Sequence, residues 1–211
     1  MAEAQRFEEL EEDMGLWEGV GMVEGRVHSL NLIGCKPPLS EALGAELGLI
    51  SELQRINLSE NELGGPLPIK ETFASLHLLR KLSLSRNCFS GPLTHVCLLR
   101  QLADLDLSHN QLTGPLPADL PLHLPELATL NLSHNKLSGK FPNELRNLKA
   151  LRLLNLGHNS FKGSLESWVG GLANLQRLDL SHNRLEGNFP LALKRLHFLE
   201  YLHLNNNKVK E

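Results

Sequence analysis

The sequence has few of the features that mark secreted or disulfide-bonded proteins. Its 211 residues include only three cysteines, Cys35, Cys88 and Cys97, and none of them belongs to a C-x-x-C pair. An odd and scattered set argues against a disulfide framework and favours a reducing compartment. The N-terminal segment has no basic start followed by an apolar run, so it does not predict a signal peptide. We therefore expect an intracellular, cytoplasmic protein.

Charge of one sign and long hydrophobic runs are also scarce. The formal net charge is −3, and no basic cluster interleaved with aromatic residues is present. Proteins that bind nucleic acids usually carry a strongly basic face. No apolar run approaches the roughly 18 residues needed to cross a bilayer. We accordingly expect neither a nucleic-acid partner nor membrane insertion.

What the chain does contain is a repeat of about 24 residues. In residues 127–150, apolar side chains fall at the first, fourth, sixth and eleventh positions, and Asn135, Gly139 and Pro142 hold the ninth, thirteenth and sixteenth. Copies begin near residues 27, 53, 79, 102, 127, 151, 175 and 199, and the first copy is degenerate, with Cys35 in the asparagine slot. A fixed period of this length predicts a solenoid, in which each coil contacts mainly its neighbours.

The repeat also predicts the local structure of each coil. In a segment such as Leu130-Asn131-Leu132, apolar and polar side chains alternate, which favours a strand with one buried face. We expect these strands to stack in parallel over residues 27–211. Residues 1–26 are predicted to form an N-terminal helical cap, because residues 3–14 carry apolar side chains at helical spacing.

The ninth-position asparagines are expected to be structural. A sharp turn inside a coil leaves backbone groups without partners, and an amide side chain donates and accepts hydrogen bonds at once. We predict a stacked asparagine ladder that joins neighbouring coils. Its members are Asn61, Asn87, Asn110, Asn135, Asn159, Asn183 and Asn207.

The pattern LxxLxLxxNxLxGxxP resembles the plant-type leucine-rich repeat family, and the segments 105–117 and 178–190 are close instances. The resemblance implies an α/β solenoid of about eight coils in a curved array. It places a parallel β-sheet on the concave side and irregular or 3₁₀ segments on the convex side. It also implies a non-catalytic function in binding proteins or peptides.

We therefore predict a protein-binding scaffold or assembly subunit that uses its concave face. The alternative is the ligand-recognition module of a receptor-type member of the family, outside the cell. Outward-facing residues at the third, fifth and eighth positions are the candidate partner-binding residues. They are Arg55, Lys81, Arg86, Asp104, Asp106, His109, Leu153, Arg177, Asp179, Tyr201 and His203.

The C-terminal edge of the solenoid is a further candidate surface. The segment 205–211 is polar and covers only part of a repeat. Three explanations stay open: the sequence is a fragment, this polar segment caps the array, or a partner covers the edge. An unpaired edge is an assembly site if nothing covers it.

A row of histidines suggests more specific chemistry. His109, His134, His158 and His182 occupy the eighth position of four successive coils, where a row could bind a metal or respond to pH. Repeat duplication explains the row without either role. The recurring Asp-x-Ser-His segments have the residue types of a catalytic triad but offer no oxyanion pocket. We predict no metal, no cofactor and no enzymatic activity.

Overall fold

The computed structural model describes residues 19–35, 47–68, 70–93, 95–165 and 168–210. The chain coils repeatedly, and each coil adds one strand to a nine-stranded sheet and, in most coils, one to a seven-stranded sheet. The strands of the larger sheet are β1 (Val20–Val23), β2 (Arg26–Asn31), β3 (Arg55–Asn57), β5 (Lys81–Ser83), β7 (Asp104–Asp106), β9 (Thr129–Asn131), β11 (Leu153–Asn155), β13 (Arg177–Asp179) and β15 (Tyr201–His203).

The larger sheet, called the main sheet below, keeps the repeat in register. Leu153 lies opposite Thr129 on one side and Arg177 on the other, all at the third position of their coils. Every pairing from β2 to β15 is parallel, and β1 alone is antiparallel to its neighbour. Eight parallel strands in coil order confirm the predicted solenoid.

The smaller sheet follows the turn that ends each main-sheet strand. Its strands, joined in order, are β4 (Gly64–Pro66), β6 (Cys88–Gly91), β8 (Gln111–Gly114), β10 (Lys136–Lys140), β12 (Ser160–Gly163), β14 (Arg184–Asn188) and β16 (Lys208–Lys210). The thirteenth-position glycines lie in this sheet, and Gly139 has φ 95°. A side chain is strained at such an angle, which explains why the repeat places glycine there.

Short helices close most coils on the side away from the main sheet. Within the described residues, five are 3₁₀ helices: η1 (Leu47–Leu49), η2 (Val96–Leu98), η3 (Asn143–Asn147), η4 (Val169–Gly171) and η5 (Leu191–Arg195). The same part of the chain contains two α-helices, α1 (Lys70–Ser75) and α2 (Leu120–His123). The 3₁₀ segments confirm the expected return legs, and the α-helices are local departures from them.

The core lies between the two sheets and the return helices. Leu130, Leu132 and Leu137, from the fourth, sixth and eleventh positions of one coil, are fully buried. Trp168 and Phe161 are among the largest buried side chains, and both pack against the ring of Phe141. Burial of each such side chain contributes about 1.5–3 kcal/mol. A continuous apolar column therefore holds the coils together.

The N-terminal boundary differs from our expectation of a helical cap over residues 1–26. Residues 20–23 form the strand β1, which pairs with β2 and extends the main sheet. The two-residue turn Glu24–Gly25 allows this hairpin, since both of its residues have positive φ. The helix predicted over residues 3–14 lies outside the described residues.

Candidate functional site

The outer face of the main sheet, meaning the face turned away from the leucine core, brings together most of the predicted partner-binding residues. The third-position side chains form one row across it: Arg55, Lys81, Asp104, Thr129, Leu153, Arg177 and Tyr201. The fifth-position side chains form a second row: Asn57, Ser83, Asp106, Asn131, Asn155, Asp179 and His203. Since neighbouring parallel strands are about 4.8 Å apart, the rows make an extended polar surface.

The first half of this surface is charged and hollow. Arg55, Lys81, Asp104 and Asp106 line a groove that runs from β2 to β9. Lys81 Nζ lies 2.6 Å from Asp104 Oδ2, so these two charges are paired. Arg55 makes no salt bridge within the part of the chain that the structure describes. The groove therefore offers one unpaired cation beside an ion pair.

The second half of the surface carries an aromatic and an aliphatic side chain among its polar ones. The guanidinium of Arg177 lies 4.4 Å from the ring centroid of Tyr201, within the range of a cation–π contact. His203 Nδ1 is 3.6 Å from Asp179 Oδ2. Leu153 is half-buried in the same row. The predicted residues thus form two clusters, one on each half of the sheet.

The fifth-position carboxylates and amides have a second role that the sequence pattern alone did not predict. Asp179 Oδ1 accepts hydrogen bonds from the backbone N–H of Ser181 at 2.9 Å and from its hydroxyl at 2.7 Å. Asp106 accepts the equivalent backbone bond from Ser108 at 2.9 Å. These contacts hold the turn that follows each strand. Asp106 and Asp179 are therefore partly structural, and the recurring Asn-Leu-Ser and Asp-Leu-Ser segments were the available signal.

The eighth-position residues do not belong to the strands, contrary to our prediction for Arg86 and His109. Each main-sheet strand from β3 onward ends at the fifth position of its coil, and the eighth position lies in the turn beyond the strand. All seven eighth-position residues have positive φ, between 51° and 62°. Histidine and asparagine adopt this left-handed conformation more readily than most residues. Turn geometry thus accounts for much of the preference for histidine at this position.

The four histidines stack into a continuous column along the edge of the main sheet. Neighbouring ring centroids are 4.1, 4.0 and 4.0 Å apart, and the rings are within 14° of parallel. Burial between flanking rings, followed by the charge of His109, lowers the pKa of His134. Burial and then the charge of His134 lower the pKa of His158. The two inner imidazoles therefore resist protonation.

The ninth-position asparagines turn inward, beside the histidines. The side-chain amide of Asn135 donates to the backbone carbonyls of Leu107, Leu132 and Ser133 at 2.9–3.2 Å. Its Oδ1 accepts from the backbone N–H of Leu112 at 2.9 Å. Leu107 and Leu112 belong to the preceding coil, so one side chain joins two coils.

The same pattern recurs along the array with small changes. Asn87, Asn110, Asn159, Asn183 and Asn207 each bond to carbonyls of their own and the preceding coil. Asn61 accepts from the backbone N–H of Cys35 at 2.8 Å. The ladder therefore reaches the degenerate first coil, where cysteine replaces asparagine.

The trio of Asp179, Ser181 and His182 does not have the geometry of a catalytic triad. A triad needs the nucleophile hydrogen-bonded to its base. Ser181 instead donates its hydroxyl to Asp179, and Ser181 is buried. The ring of His182 stacks on His158, and its Nε2 lies 2.7 Å from Asn206 Nδ2. The groups that a triad would align are engaged elsewhere.

Among the described residues, one group of three metal-ligating side chains has its donor atoms close together: Cys97, Asp119 and His123. It lies on the return helices, away from the main sheet. Burial, and then the neighbouring carboxylate of Asp119, raises the pKa of the Cys97 thiol to about 11. The sequence pattern did not predict this group.

Comparison with known proteins gives the family. The leucine-rich repeat model matches residues 100–161, and the model for two leucine-rich repeat copies matches residues 173–211. The PEPR1–AtPEP1 structure superposes with a TM-score of 0.79 at 32% identity, covering 92% of this chain and 27% of that chain. The chain is a plant-type leucine-rich repeat protein.

Two further relatives give the extent of the similarity. The leucine-rich repeat chain resembles the plant peptide hormone receptor RGFR1 in complex with RGF2, with a TM-score of 0.73, 30% identity, and coverage of 87% of this chain and 28% of that one. It is 44% identical to Protein MALE DISCOVERER 1 of Arabidopsis thaliana over 52 residues, 25% of this chain and 7% of that protein. This leucine-rich repeat chain thus spans under a third of the length of each of these three relatives.

The last coil of the leucine-rich repeat chain is less covered than the others. Leu199, Leu202, Leu204 and Val209 are only partly buried, whereas the same positions in central coils are fully buried. The proposed contact through this edge stays a prediction. No helix in the described residues combines the length and apolar character that crossing a bilayer requires.

Proposed function

We propose that this leucine-rich repeat protein is a non-catalytic scaffold that binds an extended polypeptide across the outer face of its main sheet. The groove between β2 and β9 carries this proposal, because it is lined by the charged side chains Arg55, Lys81, Asp104 and Asp106. An extended chain crossing parallel strands would meet one pair of outward side chains per coil. Such regular polar contacts suit recognition of a peptide backbone and its side chains.

The similar structures support the class of partner. One of them is a plant peptide hormone receptor, RGFR1, in complex with RGF2, and another is the complex PEPR1–AtPEP1. Arg177 and Tyr201, which stack on the second half of the sheet, are residue types enriched among binding hot spots. We propose that the groove selects the partner by charge and that this pair supplies an anchor.

The cellular location is a separate proposal. All three cysteines of the chain lie within the described residues and are unpaired. Unpaired thiols fit a reducing compartment, so we propose an intracellular scaffold. The alternative is a receptor-type recognition module, which would use the same face outside the cell. Fractionation of the source cells, with an antibody against this chain, distinguishes the two.

The test of the binding face compares two triple variants, each of which reverses three positive charges. Peptides are first selected on the native chain from a random display library. We expect Arg55→Glu, Lys81→Glu and Arg86→Glu together to weaken binding of the selected peptides about tenfold or more, since charged contacts at interface centres are costly to lose. Arg55→Glu alone should give a smaller loss, because it leaves the ion pairs Lys81–Asp104 and Arg86–Glu60, the second with 3.6 Å between Nε and Oε1, in place.

The control reverses three exposed cations away from the main sheet, Arg100, Arg146 and Lys162, with the same change in net charge. Thermal unfolding of every variant verifies the fold. If the control reduces binding as much as the main-sheet variant, net charge is responsible and the proposed face is wrong. Selection of no peptide at all would also contradict the proposal.

A further inference from the structure

Three metal-ligating side chains converge where two neighbouring coils return from the smaller sheet. Cys97 lies in η2, Asp119 immediately precedes α2, and His123 is the last residue of α2. Asp119 and His123 are four residues apart on one helical turn, which places them on the same face. Cys97 approaches them from the preceding coil. The group therefore depends on the fold and spans two coils.

The donor atoms of this group lie within contact distance of one another. Cys97 Sγ is 3.8 Å from Asp119 Oδ1, and His123 Nδ1 is 3.4 Å from Asp119 Oδ2. One ligand atom from each of the three residues lies within 4.8 Å of the other two. A sulfur, a nitrogen and a carboxylate oxygen thus lie close together on this face.

These separations are close to those of a tetrahedral zinc site. Bonds of about 2.3 Å to sulfur, 2.0–2.1 Å to nitrogen and 2.0–2.2 Å to oxygen set donor–donor distances of roughly 3.4–3.6 Å. The Cys97–Asp119 and His123–Asp119 distances, which run to the two different oxygens of the carboxylate, lie within a few tenths of an ångström of that range. The Asp119 side chain is exposed and that of His123 is only partly buried, so both have room to rotate toward a bound ion.

The local fold explains why this group occurs only here among the described residues. Most return legs are 3₁₀ helices, which place residues i and i+3, not i+4, on one face. The leg of residues 119–124 is instead α-helical, and the backbone N–H of Leu124 bonds to the carbonyl of Leu120 at 2.9 Å. The same leg places Asp119 against η2. The local departure from the repeat is what creates the group.

We propose that Cys97, Asp119 and His123 bind one zinc ion, with water completing the coordination. One thiolate, one imidazole and one carboxylate suit zinc, whereas calcium and magnesium prefer oxygen ligands alone. Binding releases the thiol proton of Cys97 to solvent. His123 gives up the contact of its Nδ1 with the Asp119 carbonyl, 3.0 Å away, and carries its remaining proton on Nε2. The ion would then clamp two successive coils on the face away from the partner-binding groove.

The test is zinc titration of the chelator-treated full chain, followed by competition with a colorimetric zinc indicator. We expect one equivalent to bind. Cys97→Ser, Asp119→Asn and His123→Gln should each weaken the affinity by about tenfold or more, because loss of a supporting residue alone costs 10–100-fold at metal sites. Cys88→Ser and His77→Gln, which replace exposed residues of the same types, should leave it unchanged.

Cobalt binding supplies a second, spectroscopic measurement, which reports directly whether the Cys97 thiolate is a ligand. Cobalt bound to a thiolate gives a near-ultraviolet charge-transfer absorption, which the native chain and Cys88→Ser should show and Cys97→Ser should lack. Far-ultraviolet circular dichroism verifies that each variant is folded. Absence of one-equivalent binding by the native chain, or undiminished binding by Cys97→Ser, overturns the proposal. Binding that disappears only with His134→Gln and His158→Gln assigns the ion to the histidine column and overturns it equally.

Discussion

The histidine column and the asparagine ladder occupy adjacent positions of the same repeat and have opposite environments. His134 is exposed, and its ring contacts mainly the rings of His109 and His158. The next residue, Asn135, turns inward and bonds to backbone groups of two coils. Both residue types recur coil after coil. Recurrence in a repeat therefore does not identify a structural residue, whereas hydrogen bonds to the backbone do.

The largest expected effect breaks the ladder. Asn135→Leu removes the partner of the Leu112 N–H and the donors to the Leu107 and Leu132 carbonyls, and the larger apolar side chain replaces none of them. An unsatisfied buried polar group costs roughly 1–3 kcal/mol, so we expect a loss of about 3 kcal/mol or more in the free energy of unfolding. Urea denaturation followed by circular dichroism measures it.

The neighbouring residue supplies the control for this change. His134→Asn keeps a side chain that tolerates positive φ, and it removes only ring stacking on the surface. We expect a change within about 0.5 kcal/mol. Equal losses for the two variants would contradict the contrast between the ladder and the column.

A smaller effect concerns the fifth-position residues, which combine both kinds of role. Asp179 faces outward on the main sheet, yet its carboxylate holds the turn through two hydrogen bonds to Ser181. Asp179→Ala should cost about 1–2 kcal/mol, since it removes two hydrogen bonds with a typical net value of about 0.5–1.5 kcal/mol each. Thermal or urea unfolding measures the loss.

The chain itself provides the matched variant for this position. Asn131 stands at the same position and makes the same two bonds to Ser133, at 3.2 and 2.9 Å. Asp179→Asn should therefore keep the stability that Asp179→Ala loses, while it removes the charge that faces His203. If both variants are equally destabilised, charge and not turn capping explains the effect.

The sequence period was sufficient to predict the solenoid fold. The leucine positions, the asparagine ladder and the parallel strands depend on contacts that every coil repeats, so one copy such as residues 127–150 contains the information for all. The hairpin partner β1 did not follow from the pattern, because it lies before the repeats and pairs in the opposite direction. Structural elements outside the repeats, such as β1, cannot be predicted from the repeat pattern.

The details of the candidate site were less accessible from sequence. The left-handed turn at the eighth position had a signal in the recurrence of histidine and asparagine there, which favour positive φ. The group of Cys97, Asp119 and His123 had none, since Cys97 and Asp119 are 22 residues apart and meet only because one return leg is α-helical. Residues that depart from the repeat become neighbours for reasons that the repeat does not encode.

The smallest expected effect distinguishes the column from the ladder by pH. Burial, and then the charge of the neighbouring histidine, lowers the pKa values of His134 and His158 in the folded chain, whereas in the unfolded chain a histidine titrates near about 6.5. A lowered folded pKa means that the unfolded state takes up protons first as the pH falls. The stability that the two neutral histidines contribute is therefore fully present above about pH 6.5 and declines as the pH falls from there towards the lower folded pKa values.

We expect the double variant His134→Gln/His158→Gln to lose less stability than the native chain as the pH falls, because glutamine does not titrate. Melting temperatures of both proteins between pH 7.5 and pH 5 measure the difference in slope, from which the contributions of groups common to both proteins cancel. Identical slopes would show that the stacked column does not oppose protonation, and it would then be as inert to pH as the asparagine ladder beside it.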